Sequence, residues 1–285
     1  MRTFTFPVLL LPLVLSLFAA GAHAGTIDGF AVLGASTVTN TGPTTINGNV
    51  GLSPGSSITG FGTVTLTGVE DIDNMPAING QVDATTFYNT DTAPSFLAGA
   101  VNLTGDDLGS FGSGGLAPGV YDFSSSAQLT GALLLNTEGS DTASWTFVMG
   151  STLTTASGSS VAIIDTGSGA YTGSIDWVVG SSTTLGTGTA FLGTIVSDAS
   201  DTLNTGATDG CGGVFALTGA VTLDNNTIST ACSITGTGKP GGPPVTPVPE
   251  PGTIALLSCG VLGMGFLTIH KSRTRRHSPT APSIQ

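Results

Sequence analysis

The chain has 285 residues, 43 of them glycine, and a formal net charge of −12. Its six Lys and Arg are Arg2, Lys239, Lys271, Arg273, Arg275 and Arg276, its three histidines are His23, His270 and His277, and seventeen of its eighteen acids lie between residues 25 and 235. That span holds carboxylates and no cation, so it repels phosphate backbones and excludes nucleic acid as a partner; without histidines or a cysteine cluster it supports no zinc site, and no metal or cofactor is expected.

In chain order, Arg2, the apolar run Phe6 to Ala20 and the small-x-small site Ala22-His23-Ala24 read as a signal peptide over residues 1–24. From residue 25 to about 235 extends one domain of ordinary size. Its β-branched and apolar residues alternate with small polar ones in short segments broken by Gly and Asn, which predicts an all-β body rather than disorder. Between Asp73 and Ala98 the pattern changes. Asp73 or Asn74 is placed to cap a helix with Pro76 in its first turn, and Met75, Ile78, Val82, Phe87 and Leu97 would supply its apolar face. A helix is therefore expected within about 76 to 90, packed along the β body.

The second half repeats loosely. Leu129, Leu153, Leu185, Leu203 and Leu223 each stand between small polar neighbours, at spacings of 24, 32, 18 and 20 residues. The shortest spacings fit one solenoid coil of three short strands and three turns, and stacked coils would bury ladders of Leu, Val, Ile and Phe that no single coil could bury alone. Two cysteines fall near the end of the domain. In an exported chain Cys211 and Cys232 either close one disulfide, which would staple the last coil, or stay as isolated thiols.

Beyond a Gly/Pro-rich linker at 236–247 come Val248-Pro249-Glu250-Pro251, an apolar run over 253–269 long enough to span a bilayer, and the basic stretch His270 to His277, with a tail at 278–285. This order resembles the PEP-CTERM sorting signal of Gram-negative bacteria. The resemblance implies processing by an exosortase-type enzyme and delivery to the cell surface or the medium, with membrane contact only through this segment.

The run FAVLGASTVTNTGPTTINGNVGLSPGSSITGF, Phe30 to Phe61, resembles the first coils of the DUF3494-type ice-binding proteins. The similarity continues through Leu116-Ala117-Pro118-Gly119-Val120-Tyr121, SSSAQLTGALLL, GSTLTTASGSSV, VVGSSTTLGTGTAFLGTI, LNTGAT and GAVTLDNNTI, covering nearly the whole domain. The resemblance implies an irregular right-handed β-solenoid of triangular cross-section with one α-helix alongside, N- and C-terminal parts in neighbouring coils, and one face that adsorbs to the surface of an ice crystal. A monomer is expected. Two departures stand out: the family's alanine-rich helix is poorly matched over 73–98, and its basic residue after the Asn-Thr-Gly turn is replaced by Asp209-Gly210-Cys211-Gly212-Gly213.

In a strand, residues two apart share a side, and stacked strands lie about 4.8 Å apart. If each leucine points inward, its neighbours point outward: Gln128 and Thr130, Thr152 and Thr154, Thr184, Thr202 and Asn204, Thr222, then Thr39 and Thr41 around Asn40, with Thr59 beyond. Together they would form an uncharged grid of hydroxyls and methyls, stiffened by β-branching, suited to ordering water into an ice-like lattice. A second set, Thr44, Thr155, Thr187, Thr189, Thr205 and Thr208, lies in Thr-(Gly/Ala)-x-(Thr) runs that either extend this face or form its corners.

Two other function classes compete. A carbohydrate-processing β-helix enzyme needs a basic group or paired carboxylates in a groove; only Asp106-Asp107 and Glu70-Asp71 are adjacent acids, and both pairs read as solvated loops. A surface adhesin or biofilm-matrix protein without ice activity is the other.

Overall fold

Three parallel β-sheets, of nine, seven and seven strands among the described residues, form the body of the protein in a computed structural model. The structure describes residues 27, 29–166 and 171–231. The signal peptide, Cys232, the linker, the sorting signal with its apolar segment, and the tail lie outside them. Among the described residues no helix is long and apolar enough to cross a membrane.

Each full coil gives one strand to each sheet. Coil 119–136 supplies Gly119–Phe123, Ala127–Leu129 and Ala132–Asn136, and the coils 145–164, 175–191, 194–209 and 214–229 stack on it in turn through parallel ladders. The next coil is not the next in sequence. Phe30–Gly34 pairs with Val214–Ala216, Thr37–Thr41 with Val221–Asp224, and Thr45–Asn47 with Thr227–Ser229. The N-terminal coils 30–47 and 49–66 thus continue the stack beyond the last C-terminal coil, and strand Glu70–Ile72 ends the first sheet. The chain must then return to the far end, where Val101–Asn102 is the opposite edge of that sheet. Eight strand spacings amount to about 38 Å.

Helix α1, Met75–Asp91, covers about 26 Å of that return, at 1.5 Å per residue. The Asn74 side chain caps it by accepting from the Ala77 amide at 3.2 Å, and it ends before Pro94. The apolar face differs from the sequence expectation. Ala77, Gly80, Ala84 and Phe87 face the sheet, whereas Met75 (64% exposed), Ile78 and Val82 (58%) face outward. The cause lies in the surface beneath: the first sheet points Phe30, Leu33, Val148, Val178, Val196 and Phe215 up at the helix. Large residues on the sheet demand small ones on the helix. A Cβ added at Gly80 would stand 2.9 Å from the Phe30 ring and 3.2 Å from Leu33. Gly80→Leu is expected to lower stability by about 1–3 kcal/mol through overpacking, read as a reduced urea midpoint with an unchanged slope.

Because α1 covers it, the first sheet is buried on both sides, and Phe30–Gly34, Trp145–Met149 and Ile175–Val179 are buried at every position, Thr146 and Asp176 included. Inside the stack, aromatic rings pile from coil to coil: Tyr121 to Phe147 at 5.3 Å, Phe147 to Trp177 at 4.2 Å and Trp177 to Phe191 at 4.8 Å between centroids. Glu70 and Asp71 do not sit in a loop. They belong to the edge strand, and Asp71 is buried, accepting from the Asn74 side-chain amide at 2.8 Å.

Candidate ice-binding face

With the first sheet under the helix, the other two remain in contact with solvent, and their strands alternate inward and outward residues. Strand register on the second sheet aligns one outward position in seven successive rungs. Gln128 pairs with Thr154, Thr154 with Thr184, Thr184 with Thr202, Thr202 with Thr222, Thr222 with Thr39, and Thr39 with Thr59. Six threonines and one glutamine form a single column about 29 Å long at 4.8 Å per rung. Across one rung the Thr39 hydroxyl donates to that of Thr222 at 3.5 Å.

The remaining first-set residues flank this column. Thr152 lies two residues earlier, in a row of small polar residues at the corner with the first sheet, where its hydroxyl donates to Ser126 Oγ at 2.9 Å. Thr130, Asn204 and Thr41 lie two residues later. Thr41 pairs with Asp224, so this flank carries a carboxylate, whereas the seven positions of the central column carry none.

The second set forms the corner to the third sheet. Gly42, Gly188 and Gly206 take φ of 74°, 66° and 74°, and Asn225 takes 53° at the equivalent turn. The corner thus requires the left-handed region, which glycine and asparagine occupy most readily. The chain then turns inward, at the residue after Gly188, Gly206 and Asn225 and one residue later, past exposed Pro43, after Gly42. Thr44 (1% exposed), Thr189 (0%) and, on the strand before, Thr155 (3%) are buried, so these three cannot meet ice. They hold the corner instead: Thr155 and Thr189 share a 2.7 Å hydrogen bond, and Thr44 accepts from the Asn226 amide at 3.0 Å. Thr187 and Thr205 are exposed at the turn, and the Thr205 hydroxyl donates to Asp224. Thr208 lies on the third sheet, pairing with Ala190 and Thr227.

Asn226, which the sequence did not single out, is the fullest corner member. Buried, it donates to the carbonyls of Asn204 (3.1 Å) and Ala207 (2.9 Å) and accepts from the Asp224 amide (2.6 Å). Asn226→Ala would strand these groups and is expected to cost about 1–3 kcal/mol, measurable by thermal unfolding.

The third sheet is less uniform. One outward column runs Ala132, Ser160, Ala190, Thr208, Thr227, Thr45, Thr65, and beside it stand Leu134, Ala162 and Ile164. Its threonines occupy one half, and the other is mostly aliphatic, with Ser160 between Ala132 and Ala190. Only the second sheet presents threonine in nearly every rung.

A family model described as Ice-binding-like matches residues 32–229, the whole stack of coils. The chain belongs to the ice-binding-like family. Over 245 residues it is 44% identical to an ice-binding protein of Nostoc sp. (strain HG1), covering 85% of this chain and 84% of that one. The crystal structure of an ice binding protein from an Antarctic biological consortium superposes with a TM-score of 0.65 at 36% identity, over 73% of this chain and 90% of that one. The ice-binding protein of the Antarctic ascomycete Antarctomyces psychrotrophicus superposes with a TM-score of 0.63 at 32% identity, over 75% and 100%. In this member of the ice-binding-like family, Asp209 points into the stack, between Phe191 and Ile228 on the third sheet, and burial pushes its carboxyl well above the usual range. Cys211, two residues on, is buried and disulfide-bonded, while Cys232 lies outside the described residues.

Proposed function

We propose that this protein binds ice through the second sheet, with the column Gln128, Thr154, Thr184, Thr202, Thr222, Thr39 and Thr59 as its centre, and that it restrains ice growth and recrystallisation. One observation carries the reading: strand register puts these side chains side by side in seven consecutive rungs. Threonine suits the task because its hydroxyl anchors a water, its methyl sets the spacing between waters, and its branched Cβ restricts the rotamer. Each contact is weak, but the array is ordered before binding and spends little entropy on adsorption. Thr41, Thr130, Thr152, Asn204, Thr187 and Thr205 border the face; Thr208 belongs to its neighbour. The named ice-binding relatives support the same function, and no catalytic role is assigned to the carboxylate pairs.

The proposal includes export. Residues 1–24 direct secretion, and the Pro-Glu-Pro motif with its apolar and basic followers directs exosortase-type processing at a Gram-negative cell surface, leaving a monomeric, surface-held or released domain. Ice shaping by purified residues 25–235 tests the function. Faceted single crystals and slowed recrystallisation are expected; an unaltered crystal habit would favour the adhesin reading.

A further inference from the structure

Directly behind the centre of this face lies a carboxyl group. Asp201 pairs with Thr183 below and Val221 above in the row that faces the interior of the second sheet, and it is fully buried. The outward residues next to it in sequence and rung are Thr202 and Thr184, the middle of the threonine column. Its partners form a chain across the corner: Ser197 Oγ, on the first sheet, lies 2.5 Å from Asp201 Oδ1 and 2.8 Å from Thr183 Oγ1. Its other oxygen, Oδ2, meets no hydrogen-bond partner among the described residues. No Lys, Arg or His occurs between residues 25 and 235 to neutralise an anion there. The groups facing Asp201 are the hydroxyls of Ser197 and Thr183 and the side chain of Val221. Of the neighbouring acids, Asp198 is exposed in the corner turn, and Asp176 and Asp209 belong to the other two sheets.

We propose that Asp201 is a positioning residue for the ice face: as a neutral acid it ties the corner to the two central rungs, and loss of its proton disturbs the alignment of Thr184 and Thr202, so ice activity declines in alkaline solution. The inference rests on the second sheet being the ice face. An ionised carboxylate in this dry corner would draw water inward or swing outward, and either movement displaces the backbone that sets the spacing of the column. Burial raises the Asp201 carboxyl to about 8, against the opposing pull of hydrogen bonds from Ser197 and Thr183, which places the change within reach of ordinary buffers.

The test is recrystallisation inhibition by the purified protein from about pH 6 to about pH 9.5, together with the backbone amide shifts of Thr184 and Thr202. The effective concentration is expected to rise about tenfold with a midpoint near 8, and the amide shifts to move with the same midpoint. Asp201→Asn, which keeps the shape without the proton, should remain active and flat across the range. Asp176→Asn, altered beneath the helix instead, should retain the full decline. A decline in Asp201→Asn like that of the wild type, or amide shifts indifferent to pH, overturns the proposal. Should Asp201→Asn fail to fold, Ser197→Ala serves: removing a hydrogen bond that favours the anion must move the midpoint upward, and an unmoved midpoint overturns the proposal. Absence of ice activity at every pH with titrating amide shifts would refute the ice reading while leaving the proton-held corner standing.

Discussion

Thr184→Tyr should raise the concentration needed to arrest recrystallisation by at least about tenfold, a loss of roughly 1.4 kcal/mol or more in adsorption, with thermal stability nearly unchanged. Thr184 occupies the third of seven rungs, between Thr154 and Thr202, so a ring standing out from it lifts both neighbouring rungs away from a flat crystal surface. Its side chain points outward from the coil, so the substitution fills no interior space and its cost to folding should stay within about 0.5 kcal/mol. Thr152→Tyr, in the flanking row against the first sheet, should do less damage, since a ring there stands at the margin of the column. Thr227→Tyr on the third sheet is the control, and it should leave activity intact. Equal loss from Thr184→Tyr and Thr227→Tyr would remove the second sheet's claim to be the binding face.

The column was legible in the sequence because outwardness depends on parity. The five leucines do not in fact form one row. Leu129 pairs with Thr155, not with Leu153, which stacks on Ala127 and Thr183 instead. That two-residue slip leaves Thr154 pointing outward all the same, because strand sides alternate with period two. What parity cannot supply is the rung in which a residue sits, and so it could not separate Thr154 in the column from Thr152 at the corner. Nor could it separate exposed Thr187 from buried Thr189: both lie in a Thr-Gly-Thr turn, and a left-handed glycine between them reverses their directions. The helix was legible from its cap and proline, but not its buried face. Ile78 and Val82 look like core residues until the sheet beneath is seen to carry Phe30, Leu33 and Phe215, which leave room only for Ala77, Gly80 and Ala84.

The interior acids lead to a second large effect, a stability that falls as pH rises. Burial raises Asp201 to about 8. Burial first, then the nearby charge of Asp91, raises Asp176 to about 7, while a hydrogen bond from Ser174 pulls the other way. In the unfolded chain both would titrate near about 3.9. Between that value and their folded values the native state holds protons that the unfolded state has released, so the derivative of stability with pH is negative. Their contribution is complete below about pH 4 and is lost as pH climbs through about 7 and then about 8. Most proteins resist this trend because acid breaks their ion pairs, but a domain without Lys, Arg or His has none to break. The expected result is a melting temperature on the order of 10 °C higher near pH 5 than near pH 8.5, from a few kcal/mol of linkage. A fall between about pH 6 and 8.5 is the signature of the buried groups, whose raised carboxyls give up their protons there. Asp176→Asn combined with Asp201→Asn should make it shallower and leave the part that Asp209, raised by the same burial, contributes, and a melting temperature that rises over that interval in the wild type would show that these carboxyls are ionised within the fold.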